Sequence, residues 1–460
     1  MIKLNKYIGD RHFYKKVLAV AIPIMLQNGI TSLVGLLDNI MIGRLGTEAM
    51  SGVSIVNEFV FIFNMIIFGA GAAAGIFTSQ YHGAGDVEGV RQTFRIKVLM
   101  NTALCAMVVL ALAFRGREVI SLFLHAGSAD ADPIAVMGYG MEYLTITALG
   151  LLPYALSQAY SSTLRETDEA NLPTYAGLIA MATNFILNLV LIFGLLGFPA
   201  LGVRGAAIAT VISRFCELGF LLIKVHTNKV RFPFIKGALT SLAVSGGLIK
   251  SIAVRGMPLM MNELLWSFAM AFRNQCISTA GLDAVAAMNI QNTMFNVLMI
   301  TYAALANSIA IIVGNLLGAD RMEEAGDADR KLLVFSFMAG VAMCLLQVSL
   351  STLFPLFYNT SETVRSLATY MLIISAVSMP LNSLAMACYY TLRSGGLAML
   401  TMLFDCVYAW VVTVPVAFLL ANYTDVSIHW LFAAVIFAES MKCLLGLVLV
   451  RRVHWARKLT

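Results

Sequence analysis

The sequence predicts an all-α polytopic membrane protein, with twelve transmembrane helices in two pseudo-symmetric six-helix lobes. Three observations predict it. The 460-residue chain is 59% hydrophobic and only 12% charged, with a mean hydropathy of +0.82, far too apolar for a soluble protein. Apolar stretches near the roughly 20 residues that cross a hydrocarbon core recur about twelve times. The chain also repeats itself at an offset of 235 residues: Pro23, Met25, Ser32, Asn39, Ile42, Gly46, Ala49 and Ile55 recur without a gap as Pro258, Met260, Ser267, Asn274, Ile277, Gly281, Ala284 and Ile290.

Each stretch has a local reason to begin and end. Helix 1 (17–42) follows a polar, basic start and carries Pro23 and Asp38. Helix 2 (52–80) closes on Gln80-Tyr-His-Gly-Ala-Gly-Asp86, where glycine supplies positive φ and aspartate caps helix 3 (93–115). Helix 4 (138–163) ends at Thr163-Leu-Arg165, and helices 5 (173–197) and 6 (202–225) complete the first copy. A basic stretch with Pro233 and Gly246-Gly247 then reads as a linker over 226–248 between an N-lobe, 1–225, and a C-lobe, 249–460. Helices 7 (249–275), 8 (284–314), 9 (330–357), 10 (365–392), 11 (396–420) and 12 (427–450) form the second copy; Asn315-Leu-Leu-Gly-Ala-Asp320 and Thr391-Leu-Arg393 repeat the turns of the first. Because six crossings return the chain to the same side, the copies form a parallel repeat able to rock about a cavity.

Lys and Arg set the orientation, since cytoplasmic loops retain them. With the N-terminus inside, 23 of the 31 basic residues fall on the cytoplasmic side, so both termini are expected there in a plasma membrane of prokaryotic type. Topology thus explains the net charge of +6, and no nucleic-acid partner is expected. The seven cysteines lie in or beside apolar spans with no Cys-x-x-Cys pair, so neither disulfides nor a metal site is expected. No nucleophile stands with a base, which argues against an enzyme.

Ionisable residues inside spans are costly and therefore paired or functional. Arg214 with Glu217, and Glu439 with Lys442, are three residues apart and are expected to neutralise each other on one helix face. Glu58 and Glu142 lie near the outer ends of their helices and are expected to reach water; Asp405 is either a lobe residue or a packing partner. Asp38 is a lone carboxylate in the outer half of helix 1, poised to exchange a proton as solvent access changes. Glu263 sits mid-helix, five residues after Pro258, where a carboxylate attracts a cationic substrate or carries a competing proton. The repeat disagrees at these positions: Asn28 faces Glu263 in the alignment, and Asp38 faces Arg273. Arg273 lies about 15 Å along its helix from Glu263, so its expected partner is Asp38 or Glu58. Flexible methionines such as Met257, Met260 and Met261, and aromatics such as Trp266, Phe295, Tyr302, Tyr389 and Tyr390, suit a permissive cleft, although most are expected to pack.

The run Asn184-Phe-Ile-Leu-Asn188, then Ile192-Phe-Gly, then Leu201-Gly-Val-Arg-Gly-Ala-Ala-Ile-Ala-Thr210, resembles helices 5 and 6 of the multidrug and toxic compound extrusion (MATE) family. The Pro23 to Asp38 helix, the Gly-Ala-Gly-Asp turn and the Leu-Arg turns fit the same family over essentially the whole chain. The resemblance implies a cation-coupled multidrug exporter of amphipathic, cationic organic compounds, working by alternating access. It makes Asp38 the coupling residue, with Asn184, Asn188 and Thr210 as the polar positions around it, a set of oxygens that suits Na⁺ as well as H⁺. In the DinF-like branch the Asn188 position is commonly a second aspartate. In the NorM-like branch the helix 10 aspartate falls at Asn382 and the helix 7 glutamate near Trp266, one turn from Glu263. The expected substrate cleft therefore includes Asn28, Glu263, Trp266, Arg273 and Asn382. The expected partners are a small organic substrate and membrane lipids, with no obligate protein partner, and no cofactor beyond Na⁺ as a coupling ion. A flippase for lipid-linked precursors would line its cleft with several basic residues, where Arg273 is the strong candidate here; a passive channel or scramblase would not accumulate substrate.

Overall fold

The structure, a computed structural model, describes residues 7–124, 132–241, 243–358 and 360–459. It contains twelve long helical segments: α1 (Arg11–Gly43), α2 (Thr47–Gly83), α3 (Val87–Leu124), α4 (Pro133–Glu166), α5 (Asn171–Phe193), α6 (Val203–Thr227), α7 (Gly246–Ser278), α8 (Leu282–Gly318), α9 (Met322–Leu350), α10 (Glu362–Ser394), α11 (Ala398–Tyr423) and α12 (Ile428–Arg452). Among the described residues eleven helices are long and apolar enough to span a membrane. The expected seventh crossing is present as α7, which is not among them: Lys250, Arg255, Asn262, Glu263, Arg273 and Asn274 lie along it.

Local chemistry sets several of these ends. Asp132 caps α4, its side chain accepting from the Ile134 amide at 2.9 Å with Pro133 in the first turn. Ser361 does the same for α10. In the turn after α2, Gly85 takes φ 75° and Asp86 accepts from the Gly89 amide at 2.9 Å. Its repeat mate is one residue shorter, and there Asp320 itself takes the left-handed conformation, at φ 62°.

The chain packs as two compact units. One comprises Leu26–Thr78 and Asp86–Ile252, the other Met1–Met25, Ser79–Gly85 and Ala253–Thr460. The first has a core of Met41, Ile42, Ala49, Val53, Val56, Tyr143, Leu144, Ile192 and their neighbours; the second has a matching cluster of Ile277, Ala284, Ala287, Ile290, Val364 and Met371. Repeat mates Ile42 and Ile277, like Ala49 and Ala284, are each at most 1% exposed. These preserved positions are packing positions.

The connection expected over 226–248 folds onto α3 within the first unit. Arg95 is 8% exposed and donates to the carbonyls of Gly237 and Ala238 at 2.9 Å and of Ala243 at 3.1 Å. Phe94 meets Phe234, and Arg231 grips Glu169 through two bonds of 2.6 and 2.7 Å.

In the second unit the last turn of α2 crosses α8 with almost no space between backbones. A Cβ on Gly83 would overlap the Asn315 carbonyl, and a Cβ on Gly318 would overlap the Gln80 carbonyl. The 235-residue offset relates both pairs, so the contact is reciprocal. Gln80 is fully buried; its amide donates to the carbonyls of Ser394 (3.1 Å) and Arg457 (3.2 Å), and its oxygen accepts from the Leu459 amide at 2.7 Å.

Gly318→Ala is therefore expected to push the two backbones apart and lower stability by roughly 1–3 kcal/mol. The midpoint of thermal unfolding in detergent measures this, and an unchanged midpoint counts against the crossing as described.

Candidate functional site

In the unit formed by Leu26–Thr78 and Asp86–Ile252, α1, α5 and α6 bring four of the expected residues together. Asn188 and Asn184 are one helical turn apart on α5 and are 1% and 3% exposed. The Asn188 amide donates to Asp38 Oδ1 at 2.5 Å and to Asn184 Oδ1 at 3.1 Å; the Asn184 amide donates to Thr210 Oγ1 at 3.3 Å on α6. The carboxylate is thus held by a neutral donor, and its charge is not cancelled by that contact. Among the described residues Asn188 Oδ1 has no hydrogen-bond partner. A buried carbonyl oxygen left over beside a carboxylate is a suitable ligand for a small hard cation. Below it on α6, Arg214 donates to Glu217 at 3.0 Å, as its spacing predicts, and lies over the Tyr154 ring at 4.9 Å.

A second cluster, on α7, α10, α11 and α12 of the other unit, is longer. The Tyr389 hydroxyl donates to Glu263 Oε1 at 3.5 Å. The Asn262 amide donates to the Tyr389 oxygen at 3.2 Å and to Asp405 Oδ2 at 3.1 Å, and Lys442 Nζ donates to Asp405 Oδ1 at 3.0 Å. Asn262 and Tyr389 together therefore link two carboxylates, Asp405 and Glu263, the first of which has an ammonium ion beside it. Tyr389 and Tyr390 are 7% and 4% exposed and pack edge to face at 5.4 Å, so they serve the core as well.

The pairing differs from the sequence-based expectation in two places. Glu439 and Lys442 do not neutralise each other: Glu439 takes Arg273 (Nη1 to Oε2, 2.5 Å) while Lys442 takes Asp405. Arg273 consequently meets neither Asp38 nor Glu58; its other guanidinium nitrogens bond Asn274 Oδ1 on its own helix. Glu142 is half-buried in an ion pair with the exposed Arg204, and Glu58 is exposed, so both reach solvent as expected. Of the residues assigned to a cleft, Glu263 joins the second cluster. Asn382 donates instead to Ser378 Oγ on its own helix at 3.2 Å, and Asn28 and Trp266 are half-buried outside both clusters.

Sequence reading missed two buried charges. Lys97, counted there only among the 23 basic residues of the cytoplasmic side, is fully buried on α3; it pairs with Glu166 and donates to Thr163 Oγ1 at 3.2 Å. Asp329 on α9 is 1% exposed and accepts from Thr391 Oγ1 at 2.5 Å. The available signal was the repeated Thr-Leu-Arg motif: its two threonines, Thr163 and Thr391, are the hydroxyls that receive these opposite charges.

The sequence profile of the MatE family matches residues 23–190 and 258–419, two matches whose starts are 235 residues apart. The chain is similar to the probable multidrug resistance protein YoeA of Bacillus subtilis, at 27% identity over 432 residues, covering 92% of this chain and 91% of that one. It is also similar to the probable multidrug resistance protein NorM of Thermotoga maritima, at 23% identity over 442 residues, 94% and 91% of the two chains. The crystal structure of the Vibrio cholerae MATE transporter VcmN in the bent form superposes with a TM-score of 0.85 at 18% identity, over 96% of this chain and 97% of that one.

Breaking the Arg273–Glu439 pair is expected to cost more than removing it. Arg273→Met alone strands a largely buried carboxylate and costs about 3–5 kcal/mol, while adding Glu439→Leu recovers most of that loss. A double-mutant cycle by thermal unfolding tests this, and additive losses would refute the pairing.

Proposed function

The chain belongs to the MatE family, and from that membership we propose that it is a cation-coupled antiporter. It exports amphipathic, cationic organic compounds, drugs among them, by alternating access, in exchange for H⁺ or Na⁺ entering through Asp38. It is an integral, multi-pass membrane protein, and members of this family are transporters rather than enzymes. The distribution of Lys and Arg supports both termini on the cytoplasmic face of a bacterial plasma membrane.

The observation that carries the proposal is the surplus oxygen chemistry at Asp38. Its carboxylate receives one amide hydrogen bond, and the Asn188 carbonyl beside it is unused. A proton on the carboxylate, or Na⁺ shared between Asp38, Asn188, Asn184 and Thr210, neutralises that buried charge. Entry of the cation from outside therefore removes an electrostatic penalty in this unit, favours substrate release, and allows return to the inward-open state. Glu263 serves the other partner of the exchange: it is the carboxylate of its cluster with no ammonium or guanidinium bonded to it among the described residues, and it attracts the cationic group of the substrate. The basic groups of that cluster and its neighbour, Lys442 and Arg273, are bonded to Asp405 and Glu439, which disfavours a phosphate-binding lining of the kind a flippase needs.

Purified protein in liposomes is expected to accumulate a cationic dye against its gradient when an inward cation gradient is imposed, and Asp38→Asn to reduce the initial rate at least about tenfold, a loss equivalent to about 1.4 kcal/mol. Repeating the assay with Na⁺ replaced by K⁺ at two pH values assigns the coupling ion. Undiminished uphill transport by Asp38→Asn would sink the mechanism, and equilibration without accumulation by the unaltered protein would identify a passive pathway.

A further inference from the structure

Two departures from regular helix meet at the Asp405–Lys442 pair. Leu403–Val407 and Ala409–Thr413 of α11 are π-helical, and Asp405 lies within the first of these stretches. In α12 the regular hydrogen bonding loosens at Met441, which keeps right-handed helical angles while Leu444 bonds back three residues, to the Met441 carbonyl, at 3.1 Å. Irregular backbone costs hydrogen-bond geometry and tends to be kept where it aims a side chain. Here both irregularities aim at one point, an ammonium 3.0 Å from a carboxylate oxygen. The Tyr408 hydroxyl, donating to the Ala438 carbonyl at 2.8 Å, and the Trp410 indole, donating to the Leu265 carbonyl at 3.0 Å, tie the π-helical region to α12 and α7.

The surroundings of that ammonium have the chemistry of a cation site. Asp405, Asn262, Tyr389 and Glu263 form one connected set of oxygen-bearing groups. Asn262 is 1% exposed, and among the described residues its Oδ1 has no hydrogen-bond partner, as for Asn188 in the other unit. The neighbouring carboxylate, Glu439, is itself paired with Arg273. The pair is also not sealed off: Lys442 and Asp405 side chains keep 16% and 17% of their accessible surface. One unit thus presents a carboxylate with an amide and an unused carbonyl; the other presents the same chemistry with a lysine ammonium in place.

We propose that the Lys442 ammonium is a tethered cation filling a carboxylate pocket that would otherwise take a small cation from solution, which makes Lys442 a specificity-determining residue that confines coupling to Asp38. The proposal rests on the assignment of Asp38 as the coupling carboxylate and deepens it, by giving a physical reason for one exchangeable cation site rather than two. Glu263 remains available to the substrate because Lys442 is spent on Asp405.

The test measures thermal unfolding of the full-length protein in detergent, with NaCl against choline chloride. In an Asp38→Asn background the midpoint is expected not to respond to Na⁺. Adding Lys442→Ala is expected to create an upward shift of several degrees with NaCl, because a ligand that binds only the folded state stabilises it. Adding Asp405→Asn to that variant is expected to abolish the shift, and Lys442→Arg, which retains the charge, is expected to gain none. Should Lys442→Ala fail to fold, Lys442→Gln keeps an amide donor toward Asp405 without the charge and carries the same expectation. No gain of a sodium response on removing the lysine charge, or a gain that survives Asp405→Asn, overturns the proposal. A sodium response already present in Asp38→Asn counts against the Asp38 assignment instead, since the tethered-cation reading is judged by the difference Lys442 makes.

Discussion

A charge taken out of water must find a partner, and the polar interior of this protein follows from that constraint. Stranding one ion in a low-dielectric environment costs several kcal/mol, so each buried charge draws an opposite charge or a hydrogen-bonding group to itself. Arg214 finds Glu217 on its own helix, Arg273 finds Glu439 on α12, Lys442 finds Asp405 on α11, and Lys97 finds Glu166 on α4. Three of these four pairs join different helices, which makes them registration devices: a helix that slid by one turn would separate its ions. Asp38 and Glu263 stand apart because neutral donors hold them, Asn188 and Tyr389. Neither of these two carboxylates is closed into an ion pair among the described residues, unlike Glu217, Glu439 and Asp405.

Duplication and divergence act on different layers of the structure. The repeat mates that remain identical, such as Ile42 with Ile277 and Ala49 with Ala284, are packed in the cores of their units, and the glycines Gly83 and Gly318 make reciprocal backbone contacts. Packing density tolerates little change in volume, so such positions stay the same in both copies. Among the positions that differ, polar ones take opposite roles. Asp38 is matched by Arg273, which turns a carboxylate with a neutral partner into a closed ion pair, and the threonines Thr163 and Thr391 receive a lysine in one copy and an aspartate in the other. The scaffold is shared while the electrostatics are inverted.

Helix irregularity follows the same division. Prolines Pro23 and Pro258 recur at equivalent places in α1 and α7, so the sequence repeat preserves the potential for bending in both helices. The π-helical stretch of α11 and the loosened turn of α12 occur beside Asp405 and Lys442, where the side chains of two helices must converge on one another. The π-helical stretch of α11 and the Asp405–Lys442 ion pair thus fall at the same place in the fold.

What the sequence determined by itself is the layer governed by averages and by local spacing. Apolar composition and stretch length established a helical membrane protein; the 235-residue offset established the repeat; the Asn184 to Asn188 spacing placed both amides on one face; and Arg214 to Glu217 was legible because three residues is nearly one helical turn. Asp38 was legible as well, since a lone carboxylate in an apolar span is conspicuous without knowledge of its neighbours. Only the tertiary structure decided which charge meets which across helices. Glu439 and Lys442 have the same spacing as Arg214 and Glu217, yet they part, because Arg273 on α7 and Asp405 on α11 are brought to them. Lys97 counted only as one more cytoplasmic-side charge because its burial depends on α4 packing over it, and Asn262 drew no attention until Tyr389 and Asp405 were brought to it from 127 and 143 residues away. Sequence spacing carries contacts within a helix; contacts between helices depend on rotation and register, and those are set by the packing of the whole unit.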